Sequence, residues 1–259
     1  MVYNFHTHTY RCHHASGTEE QYIQSAVKAG IKHMGFSDHI PFVFPDGSES
    51  VHRMYMRDIE SYFSTLRELR EKYRNDIEIF IGFEAEYYPK YQEKMIGDMI
   101  EYGAEYMILG QHYLYNELPD MITVASKNTK YEDVKYYCDT VTEAMETGYF
   151  TYVAHPDMLN FDPDDKEHIA QVRRICKKSA ELDIPLEINF LGIRTNRRYP
   201  NEKFWKIAGE ENSPVTFGFD AHEACDAGDT ESVARAMEIV EKYNLNYIGM
   251  PKLKLLNKK

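Results

Sequence analysis

Nine side chains of the kinds that hold divalent metals are spread over the whole chain: His6, His8, His14, His39, Glu84, His112, His155, Asp220 and His222. Imidazole and carboxylate donors suit zinc, iron and manganese, and the lack of a thiolate pair disfavours a closed Cys-type zinc site. Nine donors are too many for one ion, whereas two or three ions sharing carboxylates would use them. Three divalent ions carry six positive charges, of which two carboxylates, a phosphate dianion and a hydroxide offset about five. That near balance fits phosphoester hydrolysis, in which metals acidify water, hold phosphoryl oxygens and steady the leaving alkoxide.

Such distant residues can meet only if the fold gathers them. Short apolar runs predict strands over Val2–Phe5, Ile31–Phe36, Ile77–Phe83, Tyr106–Leu109, Thr151–Ala154, Pro185–Asn189 and Val215–Phe219, with a weaker eighth run at Leu245–Met250. Helical patterns fill the intervals. Thr18-Glu19-Glu20-Gln21 reads as a capping box opening a helix that ends near Gly30. Asp58–Arg74 carries Ile59, Tyr62, Phe63, Leu66, Leu69 and Tyr73 at three- and four-residue spacings, an amphipathic stripe. Tyr91–Tyr102, Tyr131–Met145, Lys166–Leu182, Glu202–Ile207 and Thr230–Tyr243 complete the set.

Strand–helix alternation of this kind means parallel strands joined by crossover helices. Without a dinucleotide-type Gly-rich loop, an α/β barrel, closed or distorted, is favoured over an open doubly wound sheet. Side chains at the C-terminal ends of barrel strands converge on one face. His6 and His8 follow the first strand and His39 the second; Glu84 closes the third. His112, His155 and the pair Asp220 and His222 follow the fourth, fifth and seventh. Chance does not put a potential ligand after six of seven strands. His33, His52 and His168 follow no strand end in a motif and are read as ordinary surface or hydrogen-bonded histidines, while of His13 and His14 one is expected to point inward.

The chain has 259 residues and no Pro/Gly/Ser-rich linker, low-complexity tract or internal repeat, so residues 1–259 are read as a single domain. Its formal net charge of −12 argues against nonspecific nucleic-acid binding, yet leaves room for a small phosphorylated substrate at a cationic metal cluster. Cys12, Cys138, Cys176 and Cys225 show no disulfide-like spacing and read as reduced thiols, Cys12 as a buried one between motif histidines. With no signal-peptide pattern and no apolar run long enough to span a bilayer, a cytoplasmic protein is expected. The oligomeric state is not legible.

The ordered motifs His6-Thr7-His8 with His14, Ser37-Asp38-His39, Gly82-Phe83-Glu84, Gln111-His112, Ala154-His155-Pro156 and Phe219-Asp220-Ala221-His222 resemble those of the polymerase-and-histidinol-phosphatase (PHP) superfamily. The resemblance implies a distorted (β/α)7 TIM-like barrel with three metal ions, zinc, iron or manganese, at the C-terminal ends of its strands. It puts His6, His8, Glu84 and Asp220 on one ion. Glu84, His112 and His155 go on a second, and His14, His39 and His222 on a third. A metal-bridging hydroxide is the implied nucleophile, with Glu84, Asp220 and His222 as catalytic residues at the reacting centre. Asp38 is either a partner orienting an imidazole or a turn carboxylate.

Within the superfamily, Glu187-Ile188-Asn189-Phe190-Leu191-Gly192-Ile193-Arg194 looks most like the histidinol-phosphate phosphatase branch. That likeness implies hydrolysis of L-histidinol phosphate in histidine biosynthesis, with Arg194 on the substrate phosphate and Arg197 assisting. After His155-Pro156-Asp157, where some relatives carry a basic residue, this chain has Met158-Leu159-Asn160-Phe161. The irregular segment Pro41–Met56 reads as a lid, and acidic or aromatic residues there or near Glu117 could take the amine and imidazole end of the substrate. The alternatives are a PHP phosphoesterase acting on a nucleotide or phosphotyrosine, and a noncatalytic metal-binding module. An amidohydrolase is disfavoured because no lysine closes a central strand.

Overall fold

The computed structural model describes residues 1–118, 120–126 and 130–256. Eight strands pair in chain order into one parallel sheet: β1 (Tyr3–Asn4), β2 (His33–His39), β3 (Glu78–Ala85), β4 (Tyr106–Leu109), β5 (Phe150–Val153), β6 (Leu186–Asn189), β7 (Pro214–Gly218) and β8 (Asn246–Tyr247). The helices are α1 (Glu19–Lys28), α2 (Ile59–Tyr73), α3 (Gln92–Tyr102), α4 (Tyr131–Glu146), α5 (Lys166–Leu182), α6 (Phe190–Arg194), α7 (Glu202–Glu210) and α8 (Glu231–Tyr243).

The sheet curls until its first and seventh strands meet. Thr7 bridges Ala221 in parallel, with His8 N–H donating to Ala221 O (3.0 Å) and Ala221 N–H to His6 O (3.2 Å). Lower down, the hydroxyls of Tyr3 and Thr216 lie 2.9 Å apart. The weak eighth run does become a strand, a two-residue one paired to the start of β7. The curl is therefore a distorted (β/α)7 TIM-like barrel with β8 appended.

Alternation along β1, β4 and β5 places Tyr3, Phe5, Tyr106, Ile108, Tyr152 and Ala154 together within the curl, apart from the large apolar cluster between strands and helices. Helix α1 opens on the expected capping box, Thr18 and Gln21 satisfying each other's backbone N–H groups. Helix α2 buries Ile59, Tyr62, Phe63, Leu66 and Leu69 against the sheet. Removing a side chain such as Leu66 from water contributes about 1.5–3 kcal/mol.

Short helical turns were not foreseen, α6 among them. Helix α6 is a five-residue turn straight after β6, capped by Asn189 Oδ1 accepting from Gly192 N–H (3.2 Å). No helix among the described residues is long and apolar enough to cross a membrane.

Candidate metal centre

The strand ends deliver all nine singled-out side chains to one region. His6 and His8 follow β1 two residues apart, which puts both on one side of the chain, and that side meets Glu84 and Asp220. Glu84, near the end of β3, lies between them and the His112 and His155 rings. His155 (φ 30°) and Asp220 (φ 47°) adopt left-handed backbone just past β5 and β7, a conformation disfavoured for residues with a Cβ and common where a side chain must be aimed.

The inner set has the dimensions of a metal site. His6 Nε2 lies 3.5 Å from Glu84 Oε2 and 3.6 Å from Asp220 Oδ1. His8 Nε2 stands 3.4 and 3.3 Å from the same two oxygens. Donors held about 2.1 Å from a tetrahedral ion lie about 3.4 Å apart. His6 Nε2, His8 Nε2 and Glu84 Oε2 are buried and have no hydrogen-bond partner among the described residues. Leaving such groups unpaired is costly, so the residues present fit a cation bound among them.

Two further sets adjoin it. Glu84 Oε1 is 2.8 Å from His155 Nε2 and 3.5 Å from His112 Nε2. His14, His39 and His222 offer ring nitrogens that all lie within 4.8 Å of one another. His39 also approaches Glu84 Oε2 at 3.1 Å, so Glu84 joins the groups. Room for that carboxylate comes from Gly110, where a Cβ would overlap Glu84 Oε1.

Strand β6 supplies none of the nine, yet it braces them. Glu187 is fully buried and accepts from His6 Nδ1–H (2.7 Å) and from His155 N–H (3.0 Å). Asn189 donates to Glu187 Oε2 (2.9 Å) and to Asp220 Oδ2 (3.0 Å). A carboxylate on the far nitrogen of an imidazole fixes its tautomer and turns the near nitrogen inward. Glu86 treats His112 likewise, its Oε1 accepting from both N–H (2.9 Å) and Nδ1–H (2.8 Å). Neither glutamate was singled out from sequence. The available signal was alternation: Glu187 and Asn189 on the inward face of β6, and Glu86 two residues beyond Glu84.

Asp38 anchors the turn after β1, accepting from Thr9 N–H (3.2 Å) and the Thr9 hydroxyl, and stands 3.7 Å from His8 Nδ1. Of the adjacent histidines, His14 faces the cluster, its Nδ1–H on Cys12 O (2.7 Å), while His13 turns toward Val51 O (3.1 Å). Cys12 is buried with its thiol on Thr9 O (3.1 Å), and burial pushes its ionisation well above the ordinary thiol range.

Charge divides the imidazoles. Burial opposes protonation of His6, but Glu187, Asp220 and Glu84 outweigh it and hold the ring well above its usual value. His8, buried but beside Asp220 and Asp38, is raised to about 9. His14, desolvated and facing His222 and His8, is pushed down to about 4. Burial works against ionised Glu84 and Asp220, yet the surrounding imidazoles keep both carboxyls well below the ordinary range.

Over this cluster opens a cavity of about 490 Å³. Its walls include His52, Arg53, Glu86, Tyr113, Arg197 and Tyr199. The segment Pro41–Met56 forms part of the wall and is pinned: Arg53 donates to Glu117 Oε2 (2.6 Å) and Ile40 O (3.3 Å), and Ser50 donates to Glu117. His52, set aside from sequence as an ordinary histidine, lies on the cavity with its ring 6.1 Å from that of His14.

Arg194, expected at the substrate phosphate, follows β6 at the end of α6. Its guanidinium donates to Phe219 O (2.6 Å) and Asp220 O (2.6 Å) and pairs with Asp226 (3.1 Å) and Asp229 (3.5 Å). It does not line the cavity. Arg197 does, with Nη1 donating to the Tyr199 hydroxyl (2.9 Å) and no carboxylate paired to it among the described residues.

Comparison with known proteins points one way. The PHP domain family model matches residues 4–190. The chain is 26% identical over 235 residues to the "Probable histidinol-phosphatase" of Deinococcus radiodurans, covering 86% of this chain and 87% of that protein. It is 24% identical over 254 residues to the "Histidinol-phosphatase" of Bacillus subtilis, covering 86% and 94%. Among solved structures, the Lactococcus lactis histidinol phosphate phosphatase, complexed with zinc, L-histidinol and phosphate, superposes with a TM-score of 0.71 at 18% identity, covering 99% of each chain.

Proposed function

The chain belongs to the PHP domain family, and from that premise we propose that it is a metal-dependent phosphatase converting L-histidinol phosphate to L-histidinol and phosphate in histidine biosynthesis. The observation that carries this reading is the convergence of His6 Nε2, His8 Nε2, Glu84 Oε2 and Asp220 Oδ1 at 3.3–3.6 Å beneath an open cavity, the first three buried without partners. His6, His8, Glu84 and Asp220 hold one divalent ion; Glu84, His112 and His155 a second; His14, His39 and His222 a third. Bound there, zinc, iron or manganese would acidify water as the nucleophile and offset the charge of the phosphoryl oxygens.

The chain's own residues do the rest. Glu187 and Glu86 hold His6 and His112 in one tautomer with the donor nitrogen inward. Arg197, with no carboxylate paired to it among the described residues, is the cavity-wall cation for the phosphoryl oxygens, since Arg53 is held by Glu117. Arg194 acts indirectly, fixing the backbone that presents Asp220. The names of the relatives from Deinococcus radiodurans, Bacillus subtilis and Lactococcus lactis support the choice of substrate. The strand order, unbroken from β1 to β8, supports reading residues 1–259 as one domain.

The test is phosphate release by metal-loaded protein from L-histidinol phosphate, measured beside a nucleotide and phosphotyrosine. A kcat/KM at least tenfold higher on L-histidinol phosphate is expected. Comparable rates on all three would move the protein to another phosphomonoester.

A further inference from the structure

One buried carboxylate at the cavity is unaccounted for by the metal centre. Glu86 is 2% exposed and lines the cavity. Its Oε1 is used by His112, but Oε2 is buried and has no hydrogen-bond partner among the described residues. Leaving a buried carboxylate oxygen unsatisfied costs several kcal/mol unless a ligand completes it, by the usual desolvation arithmetic.

Charge at that wall is also incomplete. Arg53 is the cation nearest to hand, and it is committed to Glu117 at 2.6 Å while standing 3.8 Å from Glu86 Oε1. Two carboxylates thus share one guanidinium. Glu86 itself joins none of the groups of potential ligand atoms found among the described residues. Its free oxygen calls for a ligand that donates hydrogen bonds and carries positive charge.

Position narrows the ligand. Glu86 lies one imidazole ring away from the metal-facing nitrogen of His112, which stands 3.5 Å from Glu84 Oε1. A cation close to the phosphoryl group can reach that far, whereas one at the end of a long side chain would overshoot. The geometry points to Glu86 as a specificity residue that binds the primary ammonium of a phosphorylated amino alcohol, with the amine on the carbon next to the phosphorylated one. This rests on the phosphatase reading for turnover, but the cation site itself does not.

Two measurements on metal-loaded protein test it. The first compares kcat/KM for L-histidinol phosphate with that for its deaminated counterpart, 3-(imidazol-4-yl)propyl phosphate. The second compares, by calorimetric titration, binding of the two dephosphorylated alcohols. The aminated member of each pair is expected to lead by about tenfold or more. Glu86→Gln, measured at saturating metal because the carboxylate also supports His112, should erase the preference in both measurements, and Glu86→Asp should restore part of it. Equal treatment of the two members by the unmodified protein would overturn the assignment. So would a metal-saturated Glu86→Gln variant that keeps the preference. If neither ester is hydrolysed but the binding preference stands, the phosphatase reading falls and the ammonium site survives.

Discussion

Nδ1–H of His6 donates to Glu187 Oε1 across 2.7 Å, with both side chains fully buried. One residue comes from the first strand and the other from the sixth, so the contact ties metal affinity to closure of the barrel. Replacing Glu187 by Gln removes the charge while nearly keeping the shape. Metal affinity is expected to fall about 10–100-fold with the fold retained, the usual weight of a carboxylate behind a ligand histidine. A competition titration with a chelating dye reads this directly; unchanged affinity would show that Glu187 has no part in tuning the site.

Gly110 exists to make room for Glu84. A Cβ there would overlap Glu84 Oε1, which is also 2.8 Å from His155. Gly110→Ala should therefore displace the carboxylate, lower bound metal, and cost about 1–3 kcal/mol as overpacking does. Elemental analysis and thermal melting together check it. Full metal content in the variant would show that the carboxylate has slack.

The two arginines should behave oppositely. Arg197→Ala is expected to raise KM about tenfold or more, the weight of a charge-assisted hydrogen bond, with melting temperature nearly unchanged. Arg194→Ala strips two backbone carbonyls of their donor and takes the cation from Asp226 and Asp229. It should lower stability by about 1–3 kcal/mol and reduce kcat through the loosened Asp220. Steady-state kinetics beside melting curves separate the cases, and a pure KM effect at Arg194 would restore the role first expected of it.

Metal-free protein should show a specific pH dependence. The His8 ring sits at about 9 when folded, above the ordinary histidine value, so the stability it contributes is present below pH 6.5 and is lost as pH rises through 9. His14 is depressed to about 4, so its unfolded form binds protons more readily and stability falls as pH drops from 6.5 toward 4. Chelator-stripped protein is thus expected to melt at highest temperature between those arms. Metal binding needs neutral imidazoles, so at neutral pH it should release protons from His6 and His8. Calorimetric titration in buffers of different ionisation enthalpy measures that release; none at all would mean the rings were already neutral.

Much of this was legible in the chain. The nine potential ligands stood out because histidines and acids at successive strand ends have no packing reason to be there. Seven strands and the capped first helix followed from periodicity and Thr18–Gln21. What escaped depended on tertiary paths. Helix α6 is too short to leave a periodic trace, and the pairing of Arg194 at its end with Asp226 was not legible. His52 and Arg53 lie in an irregular segment whose course is set by the buried Glu117, fifty or more residues from any clue. Glu187 read as one letter of a motif, because nothing local says that its strand faces inward.

The central claim, a divalent cluster on these nine side chains that releases phosphate, is tested most directly by titrating chelator-stripped protein with zinc or manganese while measuring both bound ions per chain and phosphate release from L-histidinol phosphate. Activity should be absent without metal and rise with occupancy to a plateau near three ions. Stripped protein that is fully active, or protein that binds no metal, would contradict it.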